Sequence, residues 1–313
     1  MSGAGTELES ALSKILEGGS ITVIDWSADW PRPETLGLSV RFGRVTTPTG
    51  WEPYRRERIL EHLDAHGRTW LSELVLLSAI GSTNDLAMSR AASGSIEGLV
   101  LLAEMQTAGR GRRGREWVSP LAGSLSLTLG FDFSGPIGAL SGLSPVVGLA
   151  ALDGLTLLGA ANIGLKWPND LLSPRGKLAG VLIELLPAGA VTRVIIGIGI
   201  NLEVTDVQRI RVDQPIDDLR TVCGGAAPDR SAVAGVLVSH IVRFVDEFRK
   251  NGFQPFMSAY DAHHVAQDRS VLVREGNRER VARVLGIERD GGLKIEVSDT
   301  VEILRGGEVS LRV

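Results

Sequence analysis

The sequence predicts an α+β protein, in which a core of strands and helices is followed by a small all-β domain. The first observation is an alternation of apolar and small polar residues over 124–133, which is the period of a half-buried strand. The second is the three-to-four spacing of apolar residues over 229–249, which is typical of an amphipathic helix. The third is a change after Ala266 to short β-type segments separated by glycines. A chain of 313 residues has room for two or three such domains.

Residues 1–55 form an N-terminal segment to which the sequence assigns no role. We predict an amphipathic helix over 7–16 and a short strand over 20–26. The prolines and glycines that follow interrupt the pattern too often for long elements. Basic and acidic residues are nearly balanced in this segment, and no second helix is predicted in it.

Residues 56–266 are predicted to form the larger domain. Its first helix spans 55–66 and ends at Gly67, and a strand follows over 73–80. Ser82 or Thr83 then caps a helix that runs to residue 93. The other predicted strands are 98–104, 124–133, 164–167, 178–186 and 191–200, and the other predicted helices are 140–159 and 229–249. Because polar residues and a proline interrupt the apolar stretch 138–160, we interpret it as a buried helix rather than a membrane span.

Residues 267–313 are predicted to form the small β domain. The glycines at 276, 291–292 and 306–307 separate its strands. The predicted strands are 270–274, 279–287, 293–297, 301–304 and 309–313.

Composition excludes several classes of protein. The net charge of −4 does not give the whole surface the character of a nucleic-acid binder. Cys223 is the only cysteine, so an internal disulfide framework and a thiolate-rich metal site are excluded. The first ten residues lack the pattern of a secretory signal, and a soluble cytoplasmic protein is therefore expected. His62 and His66 are spaced like metal ligands, but no third ligand is evident, and we assign no protein-bound metal.

The segment 106–117 is the densest chemical signal. Its glycines at 109, 111 and 114 formally match a dinucleotide-binding fingerprint, but arginines fill the intervening positions and no acidic residue follows a second strand. Alternating glycine and arginine instead makes a loop whose backbone approaches a ligand while guanidinium groups converge on its carboxylate or phosphate. A solvated basic loop or a nucleic-acid contact explains this segment equally well when it is taken alone.

Four further segments carry polar residues at the ends of predicted elements. Gly81-Ser-Thr-Asn84 opens a helix, where capping alone explains the polar residues. Lys166-Trp-Pro-Asn-Asp170 combines a cation, an aromatic ring, a rigid bend and two short polar side chains. Lys177 begins an apolar strand, where a lysine ordinarily extends to solvent. Asn201 ends the strand of Gly197-Ile-Gly-Ile-Asn201 and is equally compatible with an ordinary turn.

Taken together and in this order, these motifs closely resemble those of the biotin protein ligase family. The resemblance covers residues 75–205, and the segment 306–312 extends it to the C-terminal domain. It implies a mixed β-sheet with helices mainly on one face and a small SH3-like C-terminal β-barrel. It also implies an enzyme that joins biotin and ATP into biotinyl-5′-AMP, with Mg²⁺ accompanying ATP, and then biotinylates a lysine of a biotin carboxyl carrier protein.

The resemblance also assigns roles to individual residues. Lys177 and Arg112 are the implied catalytic residues, because fixed cations reduce the repulsion between a carboxylate and a phosphate. The implied biotin-binding residues are Ser82, Thr83, Asn84, Gln106, Gly109, Arg110, Gly111, Arg112 and Lys177. The implied nucleotide-binding residues are Arg110, Arg112, Arg115, Trp117, Lys166, Asn169 and Asn201. Trp117 offers a flat face for adenine, and packing in the core is the alternative for this side chain.

The chain departs from the family pattern in two places. Gly81 stands where the family usually has an acidic residue. Some members of the family also carry an N-terminal winged helix-turn-helix, but residues 1–56 show no recognition helix, and we do not expect them to bind DNA. A homodimer is compatible with the sequence. Two alternative functions remain open: a lipoate or octanoate ligase of the same fold, and a non-catalytic regulator that senses biotin or its adenylate.

Overall fold

The computed structural model describes residues 3–48, 51–275 and 278–310. Within the N-terminal segment, the predicted first helix is confirmed, but the strand predicted over 20–26 is shorter and turns into a 3-10 helix, Val23–Asp25. The helix is α1 (Gly3–Leu16) and the short strand is β1 (Ile21–Thr22). The elements that follow are the 3-10 helix Pro33–Leu36, β2 (Ser39–Arg41) and β3 (Arg44–Thr46). The three strands form one small antiparallel sheet in the order β1-β3-β2.

A seven-stranded mixed sheet forms the middle of the protein, in the order β4-β5-β6-β10-β9-β8-β7. Its strands are β4 (Glu73–Ile80), β5 (Leu99–Gln106), β6 (Ser124–Ser134), β7 (Gly164–Lys166), β8 (Asp170–Ser173), β9 (Gly176–Ala188) and β10 (Val191–Asn201). The pair β4–β5 is parallel and the other neighbouring pairs are antiparallel. The predicted strands of this domain are present, with ends that differ by a few residues, whereas β8 was not predicted.

Helices pack on both faces of this sheet, mainly on one. The helices of the domain are α2 (Arg56–Glu61), α3 (Ala65–Trp70), α4 (Thr83–Ser93), α5 (Leu143–Leu157), α6 (Asp206–Arg211), α7 (Leu219–Val222), α8 (Arg230–Asn251) and α9 (Met257–His263). The apolar residues of α5 and α8 share the main core with one face of the sheet, for example Val100 and Leu102. Helix α4 covers the other face, where Ala87 and Ala91 pack against Leu101.

The most apolar helix lies inside the protein. The stretch Ile137–Leu157 is long and apolar enough to cross a membrane by length and composition, but 67% of an apolar 18-residue window within it is buried in the fold. It begins with a 3-10 helix, Ile137–Leu140, and α5 starts only at Leu143. Pro145 lies in the first turn of α5, where a missing N–H is tolerated. The stretch therefore has the burial of a core helix.

The helix predicted over 55–66 is wrong in one respect, because two short helices occupy this region. Helix α2 ends at Glu61, and α3 begins after Asp64, whose carboxylate accepts a hydrogen bond from the Gly67 N–H at 2.7 Å. This new N-cap starts a second helix instead of continuing the first. Gly67 is consequently an interior residue of α3 rather than a C-cap, and it lies close to Ser239.

The C-terminal region is a five-stranded antiparallel sheet, in the order β14-β13-β12-β11-β15, and is compatible with an SH3-like domain. Its strands are β11 (Ser270–Glu275), β12 (Arg278–Ile287), β13 (Leu293–Val297), β14 (Thr300–Leu304) and β15 (Glu308–Ser310). Among the pairings of the described residues, none joins β14 to β15, so closure into a barrel stays a prediction. The turn predicted at Gly276 and the end of the last predicted strand, residues 311–313, lie outside the described residues.

Candidate active site

One cavity of about 900 Å³ collects the residues that the sequence motifs singled out. It lies on the face of the sheet where β9 and β10 carry glycines, and loops from both sides enclose it. The implied site residues that line it are Ser82, Thr83, Asn84, Gln106, Arg110, Gly111, Arg112, Arg115, Trp117, Lys166, Asn169, Lys177 and Asn201. Gly109 is not among the lining residues; its carbonyl accepts the Trp117 N–H at 2.9 Å and closes the base of the arginine-glycine loop.

Hydroxyl and amide groups form one end of the cavity, which we call the amide end: Thr83, Asn84 and Gln106, with the buried Thr128 hydrogen-bonded to Thr83 and Asn84. The Gln106 side-chain oxygen accepts hydrogen bonds from the Thr83 N–H at 2.8 Å and the Thr83 hydroxyl at 3.0 Å. The Thr128 hydroxyl lies 2.8 Å from both the Thr83 hydroxyl and the Asn84 side-chain oxygen. Thr83, Asn84 and Thr128 are almost fully buried and Gln106 is partly buried, so these hydrogen bonds fix the polar atoms before any ligand arrives.

Two glycines of β10 make room for the side chains that form the cavity wall. A Cβ atom on Gly197 would lie 2.2 Å from the Asn84 side-chain oxygen. A Cβ atom on Gly199 would lie 2.3 Å from Cε2 of the Trp117 indole, so this ring rests directly on the strand. Because only glycine permits such approaches, the Gly-x-Gly spacing determines where Asn84 and Trp117 sit.

The cations Lys177 and Arg112 form the other end of the cavity, which we call the cationic end, with Asn169 and Asp170 beside them. Lys177 Nζ lies 2.7 Å from the Asp170 carboxylate and 5.7 Å from the centre of the Trp117 ring. Arg112 donates to the Asn169 side-chain oxygen at 2.9 Å, and Asn169 donates in turn to the Val181 carbonyl at 2.8 Å. The strand β9 therefore orients both the lysine and the arginine.

The arginine-glycine loop is an ordered hairpin over the cavity. Its two sides are joined by the Gly111 N–H, which donates to the Arg115 carbonyl at 2.7 Å. Arg113 at the tip has a positive φ of 58°. The Arg110 guanidinium forms ion pairs with Asp85 and Glu184 at the mouth of the amide end. This arginine thus connects the loop to α4 and β9.

Asn201 is held by protein groups. Its side-chain amide donates to the carbonyls of Lys177 and Asp217, each at 3.1 Å, and its oxygen accepts from Gln208 at 3.1 Å. These bonds join the end of β10 to the start of β9. Asn201 therefore orients the backbone that carries Lys177, and a direct contact with a nucleotide stays a prediction.

Sequence reasoning did not assign a role to several groups that the fold brings into the site. The list consists of Asp85, Thr128, Asp170 and Glu184. The alternation along β6 was a usable signal for Thr128, because the leucines of this strand face the core and its hydroxyls face the opposite side. Nothing in the sequence pairs Glu184 with Asn84 or Arg110. Within the described part of the chain, no group of three or more His, Cys, Asp or Glu side chains could hold a metal ion.

The chain is similar to proteins of one family. The model of the "Biotin/lipoate A/B protein ligase family" matches residues 77–201. The biotin–[acetyl-CoA-carboxylase] ligase of Mycobacterium tuberculosis is 34% identical over 82% of this chain and 95% of its own length. The bifunctional ligase/repressor of Escherichia coli is 32% identical over 93% of this chain and 86% of its own length.

Solved structures show the same architecture. The biotin protein ligase of Aquifex aeolicus, solved in complex with biotin and ATP, superposes with a TM-score of 0.64 at 26% identity. The match covers 77% of this chain and 98% of that one. Since a relative of 34% identity is matched over nearly its full length and the site motifs line one cavity, this chain belongs to the biotin protein ligase family.

Proposed function

We propose that this protein adenylates biotin with ATP and transfers the biotinyl group to a lysine of a biotin carboxyl carrier protein domain. The single observation that carries the proposal is the cavity with two chemically different ends, because one offers fixed amides and hydroxyls and the other offers cations. Similar ligases named for acetyl-CoA carboxylase, including those of Mycobacterium tuberculosis and Paracoccus denitrificans, support a carboxylase as the source of the acceptor.

The first half-reaction joins two anions. A biotin carboxylate oxygen attacks the α-phosphorus of ATP, the bond to the β-phosphate bridging oxygen breaks, and pyrophosphate leaves. Lys177 and Arg112 are the proposed catalytic residues, since fixed cations stabilise the negative charge that gathers at the reacting phosphate. Their partners Asp170 and Asn169 hold them in place before the substrates bind.

In the second half-reaction, the acceptor lysine attacks the acyl carbon of biotinyl-5′-AMP as the neutral amine. An amide bond forms, AMP leaves and the amine loses a proton. The adenylate is a mixed anhydride that water would hydrolyse, so the hairpin of the arginine-glycine loop is proposed to shield it. Cys223 does not line the cavity, and we therefore propose direct transfer without a covalent enzyme intermediate.

The biotin ring system is proposed to bind at the amide end. A ureido ring has both donors and acceptors, which match the mixture of hydroxyls and amides there. The proposed contacts are Ser82, Thr83, Asn84 and Gln106, with Gly109, Arg110, Gly111, Arg112 and Lys177 toward the carboxylate. The Thr83–Gln106 and Thr128–Asn84 bonds support this assignment because they preset the direction of each polar atom.

The nucleotide is proposed to bind at the cationic end. The proposed contacts are Arg110, Arg112, Arg115, Trp117, Lys166, Asn169 and Asn201. The half-buried Trp117 ring, seated on Gly199, offers a flat face for adenine. Mg²⁺ that accompanies ATP would bind chiefly to the phosphates, and the Asp170 carboxylate lies in the cavity where it could add a protein ligand.

Regulation and assembly are separate questions. The similar ligase/repressors suggest DNA binding, but we propose that this chain does not use residues 1–55 for it. In support, no second α-helix lies between α1 and α2 in the described residues of that segment. A homodimer and a cytoplasmic location remain predictions. Sedimentation velocity with and without biotin and ATP would decide the first.

Biotin-dependent release of pyrophosphate, measured with ATP and Mg²⁺ and without acceptor protein, tests the proposed function. We expect a burst close to one pyrophosphate per active site with biotin and none with lipoate or octanoate. A burst with lipoate or octanoate instead would identify a ligase for that acid. Calorimetric binding of biotin without pyrophosphate release would identify a sensor, and the absence of both would refute the proposal.

A further inference from the structure

The N-terminal segment packs against the amide end of the site. The apolar face of α1, with Leu8, Leu12 and Ile15, shares one buried cluster with Met105 and Leu121 of the larger domain. Met105 directly precedes Gln106, the residue that holds Thr83. The segment therefore packs directly against the strand that carries Gln106, and it shares a buried core with the rest of the fold.

A polar contact joins this segment to the turn that begins the motif. The Glu9 carboxylate on α1 accepts a hydrogen bond from the Gly81 N–H at 3.1 Å. The Gly81 carbonyl accepts from the Ala108 N–H at 2.9 Å, and the neighbouring Ile80 carbonyl accepts from the Thr107 N–H, also at 2.9 Å. The backbone at Gly81 is thus held from both sides, and its N–H depends on a side chain 72 residues away.

The orientation of this turn controls the side chains that follow. Strand β4 ends at Ile80 and α4 begins at Thr83, so the backbone changes direction within two residues. Gly81 fits this turn without a side chain to anchor it, and open space surrounds the position of its missing Cβ.

We propose that Glu9 is a positioning residue for biotin, which acts by fixing the Gly81 peptide and through it the side chains of Thr83 and Asn84. The inference rests on the proposed function, because it takes biotin as the ligand of the amide end. Glu9 does not line the cavity and is not a catalytic residue.

A positioning role and a role in overall folding make different kinetic predictions. Loss of folded protein lowers the number of active sites and leaves the KM of the remaining ones unchanged. A turn that samples wrong orientations instead reduces the affinity for biotin, while ATP, which binds at the other end, is unaffected.

The test compares Glu9→Ala and Glu9→Gln with the wild type and with Glu7→Ala, which changes an exposed glutamate of the same helix. We expect Glu9→Ala to raise the KM and the calorimetric Kd for biotin about 3- to 10-fold, the scale of one net hydrogen bond. The KM for ATP should change less than twofold. Glu9→Gln keeps an oxygen acceptor and should restore most of the affinity, and Glu7→Ala should behave as the wild type.

Unchanged biotin affinity in a folded Glu9→Ala protein would overturn the inference, as would an equal rise in both KM values. If Glu9→Ala does not fold, failure of the folded Glu9→Gln variant to bind biotin better than Glu9→Asp would overturn it, because the shorter side chain cannot reach the same N–H. A wild-type protein that releases no pyrophosphate with biotin would refute the proposed function itself, whatever the variants do.

Discussion

Lys177 lies at the start of β9, close to the Asp170 carboxylate, and both side chains are largely buried. The Lys177–Asp170 separation of 2.7 Å means that the cation is oriented before the phosphates arrive. Removing the amine withdraws positive charge from the cationic end and leaves the Asp170 carboxylate there without its partner. Both effects oppose the approach of two further anions.

We therefore expect Lys177→Ala to slow biotin adenylation by about 10²- to 10³-fold, the scale of one lost electrostatic contact in a transition state. Pre-steady-state pyrophosphate release measures this rate directly. Lys250→Ala is the matched control, because that lysine lies exposed in the last turn of α8. Wild-type adenylation by the Lys177→Ala protein would remove this lysine from the mechanism.

The two glycines of β10 provide a second test, because Gly197 makes room for Asn84 at the amide end and Gly199 makes room for Trp117 near the cationic end. An added methyl would displace Asn84 in Gly197→Ala and Trp117 in Gly199→Ala. We expect the first to raise the KM for biotin and the second to raise the KM for ATP, each by about 5- to 150-fold, since overpacking typically costs 1–3 kcal/mol and 1.4 kcal/mol is a factor of ten.

Steady-state kinetics with each substrate varied in turn would measure both effects. Gly138→Ala is the control, as no atom lies within 4 Å of the added Cβ. The assignment of the two ends would be reversed if Gly197→Ala affected only ATP and Gly199→Ala only biotin.

At the scale of elements, Trp167 connects the Lys-Trp-Pro-Asn-Asp segment to the C-terminal sheet. Its buried indole N–H donates to the Gly291 carbonyl at 2.9 Å, in the turn between β12 and β13. Nearby, the Ile287 N–H donates to the Asp261 carboxylate at 3.0 Å. The motif tryptophan thus joins the wall of the cavity to the C-terminal sheet, because it lines the cavity together with Lys166 and Asn169 on either side of it.

Trp167→Phe should loosen this attachment, because the buried Gly291 carbonyl loses its partner at a cost of about 1–3 kcal/mol. We expect faster amide hydrogen exchange in β12 and β13 than in the wild type. Trp70→Phe is the control, since it removes an indole bond to Glu97 of similar length, 2.7 Å, in the larger domain. Equal exchange in the wild type and Trp167→Phe would show that other contacts hold the sheet.

At the scale of the whole molecule, His264 lies between the end of α9 and the C-terminal sheet. Its Nε2 faces the Trp167 N–H at 3.3 Å, and burial lowers the pKa of His264 to about 4. The unfolded chain takes up a proton near pH 6.5, which the folded protein does not accept until about pH 4. His264 therefore lowers the free energy of unfolding as the pH falls through this window and has no such effect above pH 7.

Between pH 7 and pH 5, the wild type should lose about 2 kcal/mol more stability than His264→Gln, which retains an acceptor but does not titrate. Urea denaturation at the two pH values measures this difference. Burial also raises the pKa of Glu104, which opposes the trend, and only the comparison between variants isolates the histidine. His263→Gln, an exposed neighbour, should follow the wild type; a pH-independent difference for His264→Gln would contradict the assignment.

The sequence by itself determined the local features of this protein. Strand β4 and helix α4 have the bounds that periodicity and the Ser82 cap predict, and the order of the motifs identified the family. These signals are readable because helix caps, strand alternation and glycine spacing depend on residues only a few positions apart. The break between α2 and α3 was missed because a single Asp64 cap outweighed the apolar spacing.

Only the tertiary structure decided the contacts between distant segments. Asp170 meets Lys177 because β8 pairs with β9 in a register that shifts between Leu171 and Leu172, and periodicity carries no information about register. Glu9 meets Gly81 because the apolar face of α1 packs on the larger domain. The apolar spacing of α1 predicts that this face is buried but does not predict which surface it covers. Such pairings depend on how whole elements pack, and packing is fixed by shape and burial summed over the fold rather than by any local pattern.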